Sequence, residues 1–196
     1  HRINRRQRQM CIRDSAGSDW NQSEYEDYVS QSRTKLSLME KKPMKVDTGE
    51  YRTWFEAAAV ADFLGMFSWN GISEASLRQG CSGFGRMRNE DVRLSNKFSI
   101  IEDFSPGFCP KFNSNGEVSP SSIPLIQNGT LKNTLVSSRS AKEYGVESNF
   151  AESGEYLRSP RMEPGKLNQE NVTKEIDRGL YLSNIHYLNW SDNAGG

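Results

Sequence analysis

The segment IPLIQNGTLKNTLVSS, residues 123–138, constrains the fold of this chain more than any other stretch. Two runs with alternating apolar residues flank the pair Asn128 and Gly129. An Asn-Gly pair tolerates the positive φ angles that a type I′ turn requires at both central residues. The segment therefore predicts a β-hairpin, and with it an antiparallel sheet.

Other segments add strands and helices on both sides of this hairpin. KFSIIEDF, residues 97–104, has a β-branched centre and predicts a strand. SRSAKEYG, residues 138–145, predicts a short helix that starts at a serine and ends at Gly145. Residues 146–166 have few apolar anchors and predict an extended loop. Together these segments indicate an α+β fold, with helices packed on antiparallel β-sheets.

The C-terminal part of the sequence predicts one more helix and a β-rich run. In NQENVTKEIDRG, Asn168 is a plausible N-cap, Val172 and Ile176 are i, i+4 partners, and Gly179 ends the helix. GLYLSNIHYLNW, residues 179–190, then reads as β-rich.

A helix is predicted within YRTWFEAAAVADFLGMF, residues 51–67. Four apolar residues at i, i+3, i+4 and i+7 share one face of it: Val60, Phe63, Leu64 and Phe67. The segment also carries two carboxylates, Glu56 and Asp62. It is therefore either the floor of an active site or simply a helix packed on a sheet. A further short helix is predicted across Glu74 to Arg78, before a glycine-rich stretch.

Composition limits the function classes. The chain has 25 basic and 25 acidic residues, so no overall field attracts nucleic acid or an anionic membrane. No apolar run is long enough to span a bilayer. Three scattered cysteines do not form a disulfide framework, which favours a reduced, cytoplasmic compartment. Residues 1–15, with five arginines, read either as a nucleic-acid-binding arm or as a non-native extension.

Single residues outside the predicted helices offer weak candidates for chemistry. The glycines at 80, 83 and 85 match neither phosphate-loop pattern and predict a flexible turn. Cys81 and Cys109 lack an activating neighbour in sequence, so inert thiols are expected. Four basic residues could line a peptide groove or bind a carboxylate, although charges at such spacings usually only solvate a face of the protein. They are Arg139, Lys142, Arg158 and Arg161.

The order of these elements resembles the C-terminal domain of the TldD/PmbA (TldE) family, which is related to zinc peptidases. Four stretches carry the resemblance: TGEYRTWFEAAAVADFLG, PLIQNGTLKNTLVSSRSAKEYGV, RMEPGKL and EIDRGLYLSNIHYLNW. The family's hairpin is similarly followed by a serine- and alanine-bearing helix that ends at glycine. The resemblance implies that residues 49–196 are a C-terminal domain of this type, truncated and incomplete at the C-terminus, with an uncovered sheet edge and marginal stability. It also implies that residues 16–48 end the preceding domain and form a linker.

The resemblance also implies where a zinc site would lie. Catalytic members carry His-Glu-x-x-x-His on the helix that opens the domain, and this motif falls on residues 55–60, which read FEAAAV. Glu56 is present, but Phe55 and Val60 stand at the ligand positions and cannot bind zinc. Only two histidines exist in the chain, His1 and His186. For His186, in a predicted strand, packing or hydrogen bonding is favoured over catalysis.

The implied function is that of a subunit in a zinc metallopeptidase system that acts on unfolded or modified peptides. Because the histidines are missing, the resemblance points to the non-catalytic TldE/PmbA type, paired with a TldD-like catalytic subunit or with a second copy of itself. No cofactor is expected in this chain, and zinc is implied only for the catalytic partner. Two alternatives stay open: an active metallopeptidase with ligands outside this sequence, and a β-rich peptide-binding module unrelated to proteolysis.

Overall fold

The computed structural model describes residues 19–89, 91–168, 171–176, 178–185 and 187–192. These residues divide into two compact units, one ending at Glu50 and one beginning at Tyr51. The first unit contains helix α1, Gln22–Met39, whose N-cap Asn21 accepts a hydrogen bond from the amide of Glu24 at 3.2 Å. The helix ends before Pro43, as the sequence predicts, since proline has no amide proton and disfavours a helical residue before it.

The second unit contains the remaining helices and strands. The helices are short: α2 is Ala57–Gly65, continued by a 3₁₀ turn at Met66–Ser68, and it is followed by α3, Glu74–Arg78, α4, Gly85–Arg88, α5, Ser138–Tyr144, and α6, Val172–Glu175. The strands are β1, Arg52–Phe55, β2, Ile100–Asp103, β3, Ser122–Gln127, β4, Thr130–Leu131, β5, Pro160–Met162, and β6, Gly179–Leu182.

The larger sheet confirms the predicted antiparallel fold. Its strand order is β4-β3-β2-β5, and all three pairings are antiparallel. The β3–β4 hairpin turns at Asn128 and Gly129, whose φ angles are 50° and 75°, as a type I′ turn requires. Helix α5 follows as predicted, with Ser137 as its N-cap and Gly145 in the left-handed conformation at its end.

A small parallel sheet forms the second β element of this unit. Strand β1 pairs with β6 in parallel, with Arg52 opposite Gly179 and Phe55 opposite Leu182. Parallel strands need a long crossover between them, and here almost the whole unit lies between the two strands in sequence. Local sequence patterns cannot predict such a pairing, because the partners are more than a hundred residues apart.

Apolar residues from both sides of the hairpin form the core. Five large, fully buried aliphatic side chains lie just before α3, in β2 and β3, and after β4: Ile72, Ile100, Leu125, Ile126 and Leu135. Phe67 lies edge-on to the ring of Phe84, with the ring centroids 4.9 Å apart. Burying each large aliphatic side chain contributes about 1.5–3 kcal/mol to folding. The core therefore fixes α2 and the hairpin against each other.

Four details differ from the sequence predictions. The helix predicted within residues 51–67 begins only at Ala57, because residues 52–55 form a strand that pairs with β6. Phe63, expected in the core, is 38% exposed, although its ring packs edge-on against Phe67. Strand β5 lies within residues 146–166, which were expected to be loop, because it pairs with β2, with Met162 opposite Ile100.

The fourth difference concerns the C-terminal helix. Helix α6 begins at Val172 with Asn171 at the N-cap position, rather than at Asn168, and Val172 is buried. Gly179 starts β6 instead of ending the helix. A Cβ atom at position 179 would lie 2.3 Å from the carbonyl oxygen of Arg52 on the paired strand, so a close approach of two backbones explains this glycine.

Candidate functional site

The positions that match the zinc motif lie on two different elements. Phe55 is the last residue of β1 and is 40% exposed. Glu56 precedes α2 as its N-cap, with an extended backbone at φ −65° and ψ 163°. Val60 lies in the first turn of α2 and packs against the core. The two ligand positions therefore do not share one helical face, which a helical zinc motif would require.

The β-ladder explains this arrangement. The amide of Glu56 donates to the carbonyl oxygen of Leu182 at 2.9 Å, which extends the pairing with β6 one residue beyond Phe55. The carbonyl oxygen of Glu56 then accepts the first helical hydrogen bond from the amide of Val60, also at 2.9 Å. Residue 56 is thus the junction between strand and helix, rather than a residue within the first helical turn.

Both carboxylates of this segment, Glu56 and Asp62, accept hydrogen bonds from residues that lie far away in the sequence. The hydroxyl of Tyr181, in β6, donates a hydrogen bond to Oε1 of Glu56. Oδ2 of Asp62 accepts from the amide of Ile185 at 3.2 Å. These contacts tether β6 and the residues after it to α2. The arrangement gives Glu56 and Asp62 a positioning role.

Zinc does not fit these residues. Phe55 and Val60 offer only hydrocarbon, and the carboxylate of Glu56 accepts the hydroxyl of Tyr181. Across residues 19–89, 91–168 and the shorter described ranges beyond them, no three His, Cys, Asp or Glu side chains cluster closely enough to hold a metal ion. His1 and His186, with the expectations attached to them, lie outside the described residues, as do Cys11 and the rest of residues 1–15.

A second concentration of polar groups centres on Glu74, the first residue of α3. Its side chain is 3% exposed and binds two arginines: Arg78 donates through Nε at 2.8 Å, and both Nη groups of Arg88 donate to the two carboxylate oxygens. Thr134 donates to Oε2 at 2.6 Å. Burial alone raises the pKa of Glu74, but the hydrogen bonds from Arg88, Thr134 and Arg78 outweigh it and lower the pKa to about 2.

A groove of about 310 Å³ opens above this cluster, and we call it the Glu74 groove. Its wall is formed by α3, by Arg88 of α4, and by the segments after β4 and after α5. Backbone contacts fix α3 against the segment after β4: the amide of Glu74 donates to the carbonyl oxygen of Leu135 at 3.0 Å, and Ser73 and Leu135 form a parallel bridge. The groove is therefore built on rigid backbone, as binding sites with fixed geometry require.

The buried carboxylate of Glu155 joins two helix N-termini. It accepts hydrogen bonds from the hydroxyl of Ser73 at 2.6 Å, the amide of Ala75 at 2.9 Å and the amide of Ser137 at 2.8 Å. Ser73 and Ser137 are the N-caps of α3 and α5. Burial raises the pKa of Glu155, but these bonds and one from Ser140 outweigh it, and the net effect lowers the pKa. Glu155 thus fixes α3 against α5.

A third buried carboxylate, Glu102, lies at the centre of the larger sheet. Oε1 accepts the amides of Arg158 and Ser159 at 2.6 and 2.8 Å, whereas buried Oε2 has no hydrogen-bond partner among the described residues. Burial raises the pKa of Glu102. The side chain of Arg158 donates hydrogen bonds to the carbonyl oxygens of Pro110 and Phe112. Glu102 and Arg158 together therefore order the loop between β2 and β3.

The remaining candidates from the sequence are dispersed. Arg161 pairs with Asp103 at 2.8 Å, while Arg139 is highly exposed and lies 3.8 Å from Glu143. Cys81 is exposed, and the Sγ atom of Cys109 lies 3.6 Å from an Nη atom of Arg158. None of the four cations singled out in the sequence lines the Glu74 groove. The Glu74 groove was missed, because its arginines and Lys132 come from separate segments.

Comparison with known proteins identifies the family. A family model described as the PmbA/TldA metallopeptidase C-terminal domain matches residues 48–196, about three quarters of the chain. The chain belongs to the PmbA/TldA family. This confirms the resemblance read from the sequence, and it makes the chain a relative of metallopeptidases. No curated protein sequence matches it significantly.

Solved structures agree with this assignment. A proposed modulator of a DNA gyrase from Thermotoga maritima is 20% identical, with a TM-score of 0.66 over 83% of this chain and 38% of its own. A proposed gyrase modulator from Bacteroides thetaiotaomicron is 16% identical, with a TM-score of 0.68 over 85% and 37%. At these identities the likeness establishes the α+β fold of the PmbA/TldA domain.

A third solved structure, TldE from Thermococcus kodakarensis, is 22% identical, with a TM-score of 0.45 over 69% of this chain and 33% of its own. The chain thus spans less than two fifths of the length of each of these three solved structures. None of its described helices is long and apolar enough to cross a membrane.

Proposed function

We propose that this PmbA/TldA domain belongs to the non-catalytic subunit of a zinc metallopeptidase system that processes unfolded or modified peptides. One observation carries the proposal: the residues at the motif positions are Phe55, at a strand end, and Val60, against the core, with Glu56 held by Tyr181. A catalytic member needs imidazoles at both outer positions, and a glutamate free to activate a zinc-bound water.

In this proposal the subunit pairs with a histidine-bearing, TldD-like subunit, or with a second copy of itself, in the cytoplasm. The PmbA/TldA domain supplies the enclosure and part of the peptide-binding surface, while zinc and its ligands belong to the partner. An extended peptide is held by main-chain hydrogen bonds to a strand edge, because such bonds do not depend on the peptide's sequence. Strands β4 and β5 are the edges of the larger sheet among the described residues.

A peptidase assay with both subunits tests this division of labour. The chain alone is expected to leave an unfolded peptide intact, whereas the chain mixed with a TldD-like subunit from the same organism hydrolyses it. Glu56→Gln in this chain is expected to leave the rate of the pair unchanged. Glu→Gln in the partner's motif is expected to abolish the rate, since that carboxylate activates the water. Loss of activity with Glu56→Gln would favour the alternative of an active peptidase.

The outcome also separates the third alternative. If the chain binds peptides but neither pairs with the histidine-bearing subunit nor changes its rate, a binding module unrelated to proteolysis is favoured instead. Thermal unfolding of each variant, measured alongside, ensures that a change in rate is compared between folded proteins.

A further inference from the structure

The Glu74 groove contains guanidinium groups that are fixed in place but not fully used. Arg78 binds Glu74 through Nε alone, and its two Nη groups make no hydrogen bond to any residue in the described part of the chain. Each Nη of Arg88 carries two hydrogens and donates one of them to Glu74. Both arginines thus retain N–H donors, although their positions are set by a buried carboxylate.

Glu74 makes this arrangement dependable at neutral pH. With a pKa lowered to about 2, it stays ionised and keeps both arginines oriented. Arginine side chains lose considerable rotamer freedom when they bind a ligand, so fixing them in advance lowers the cost of binding. The side chain of Arg78 is 44% exposed and that of Arg88 is 35% exposed, so their remaining donors are accessible to a ligand.

The charge of the groove favours an anion. Three cations line it, Arg78, Arg88 and Lys132, against two carboxylates, Glu74 and Glu147. Because the charge of Glu74 is already paired, the open part of the groove is positive. A planar guanidinium matches the geometry of a carboxylate, which it binds through parallel hydrogen bonds. The volume of about 310 Å³ accommodates one small residue rather than a bulky ligand.

We propose that the Glu74 groove binds a carboxylate of a peptide, either its C-terminal carboxylate or an acidic side chain. Arg78 and Arg88 donate to the carboxylate, Lys132 at the rim adds positive charge, and Glu74 is the positioning residue that orients both guanidinium groups. The assignment to a peptide, rather than to another carboxylate, rests on the proposed function. The site gives this subunit a means of anchoring one charged group of an otherwise extended peptide.

Titration of the isotopically labelled 196-residue chain, followed by NMR, tests the proposal. Acetyl-trialanine with a free C-terminus is expected to shift the Nε–H signals of Arg78 and Arg88 until the shift saturates. The same peptide with a C-terminal amide is expected to cause no such shift. Acetyl-Ala-Asp-Ala-amide tests the side-chain source, and saturation by either acidic peptide supports the site. The proposal would be overturned if neither acidic peptide gave a larger response than the neutral acetyl-trialanine amide, or if inorganic phosphate bound as tightly as the acidic peptides.

Charge-removing variants locate the binding. Arg78→Gln is expected to weaken binding of the acidic peptide about tenfold, because it removes a charged hydrogen-bond donor. Lys132→Gln, which touches none of the bonds to Glu74, is expected to weaken it about threefold, as an exposed charge does. Arg139→Gln is the matched control, since this exposed arginine lies outside the groove, and it is expected to leave affinity unchanged.

Equal affinities of the Lys132→Gln and Arg139→Gln variants, with wild-type affinity retained in Arg78→Gln, would contradict the proposed site. Should Arg78→Gln fail to fold, Lys132→Gln still decides the matter. The binding experiment uses this chain without a partner. It can therefore fail while the two-subunit peptidase assay succeeds, or succeed while that assay fails.

Discussion

Gly129→Ala is expected to cost about 4 kcal/mol or more of the free energy of unfolding, in the range that only a few kinds of substitution reach. Gly129 has a φ of 75°, and a Cβ atom there would lie 2.1 Å from the carbonyl oxygen of Leu94. The backbone cannot move away, because the Gly129 amide donates to Phe98 at 2.8 Å and its carbonyl oxygen accepts from Leu94 at 2.9 Å. Chemical unfolding of wild type and variant measures the loss.

Gly116→Ala is the matched control for this prediction. Gly116 has a φ of 78°, but no described atom beyond its two chain neighbours lies within 4 Å of the Cβ position. Its loss is expected to be about 1 kcal/mol, which is the cost of the left-handed backbone alone for a residue with a Cβ. If both variants lost the same amount, the close contact between the hairpin tip and residues 94–95 would not be what requires Gly129.

Glu74→Gln is expected to lower the free energy of unfolding by about 3 kcal/mol at neutral pH, the size typical of breaking a buried ion pair. The substitution removes the charge that Arg78 and Arg88 share and leaves their guanidinium groups facing a buried amide. The effect is expected to be largest near pH 7. Chemical unfolding at several pH values measures it.

The pH dependence follows from the direction of the pKa shift. The pKa of Glu74 falls from 4.5 to about 2 on folding, so ionised Glu74 stabilises the fold above pH 4.5, and this stabilisation is lost as the pH falls toward 2. The difference between wild type and Glu74→Gln is therefore expected to shrink steadily in acid. Glu147→Gln, at an exposed position of the same groove, is expected to change stability by less than about 0.5 kcal/mol at any pH. A constant difference between wild type and Glu74→Gln from pH 7 to pH 3 would contradict the role assigned to this carboxylate.

Short-range signals in the sequence predicted the elements that depend on local chemistry. The hairpin at Asn128 and Gly129 follows from the φ angles these residues tolerate, and the helix ending at Gly145 follows from its left-handed terminator. The end of α1 before Pro43 is local in the same sense. Each of these features depends on residues that are neighbours in sequence, so a pattern can reveal it.

Long-range pairing was not predictable in this way. Within residues 51–67 the helix begins only at Ala57, because residues 52–55 pair with a strand that begins at Gly179. Tertiary pairing here overrides a helical periodicity that is otherwise sound. The Glu74 groove was missed for the same reason, since Arg88 and Lys132 approach Glu74 only after the chain has folded.

The motif helix was partly predictable. Its packing against the core through Val60, Leu64 and Phe67 follows from the spacing of apolar residues, and the structure buries the last two. The position of Glu56 at a junction between strand and helix, with Tyr181 on its carboxylate, depends on β6 and was not visible in the sequence. The resemblance to the PmbA/TldA family, in turn, gave the motif positions their meaning.

Zinc content tests the proposed non-catalytic role most directly. The chain, and any longer gene product that contains it, is purified, dialysed against zinc-free buffer and analysed by mass spectrometry for bound metal. With Phe55 and Val60 at the ligand positions, we expect far less than one zinc ion per chain, and a thermal unfolding curve that a chelator does not change. Stoichiometric zinc retained through dialysis, and a lower unfolding temperature after chelation, would contradict the proposed role as a non-catalytic subunit.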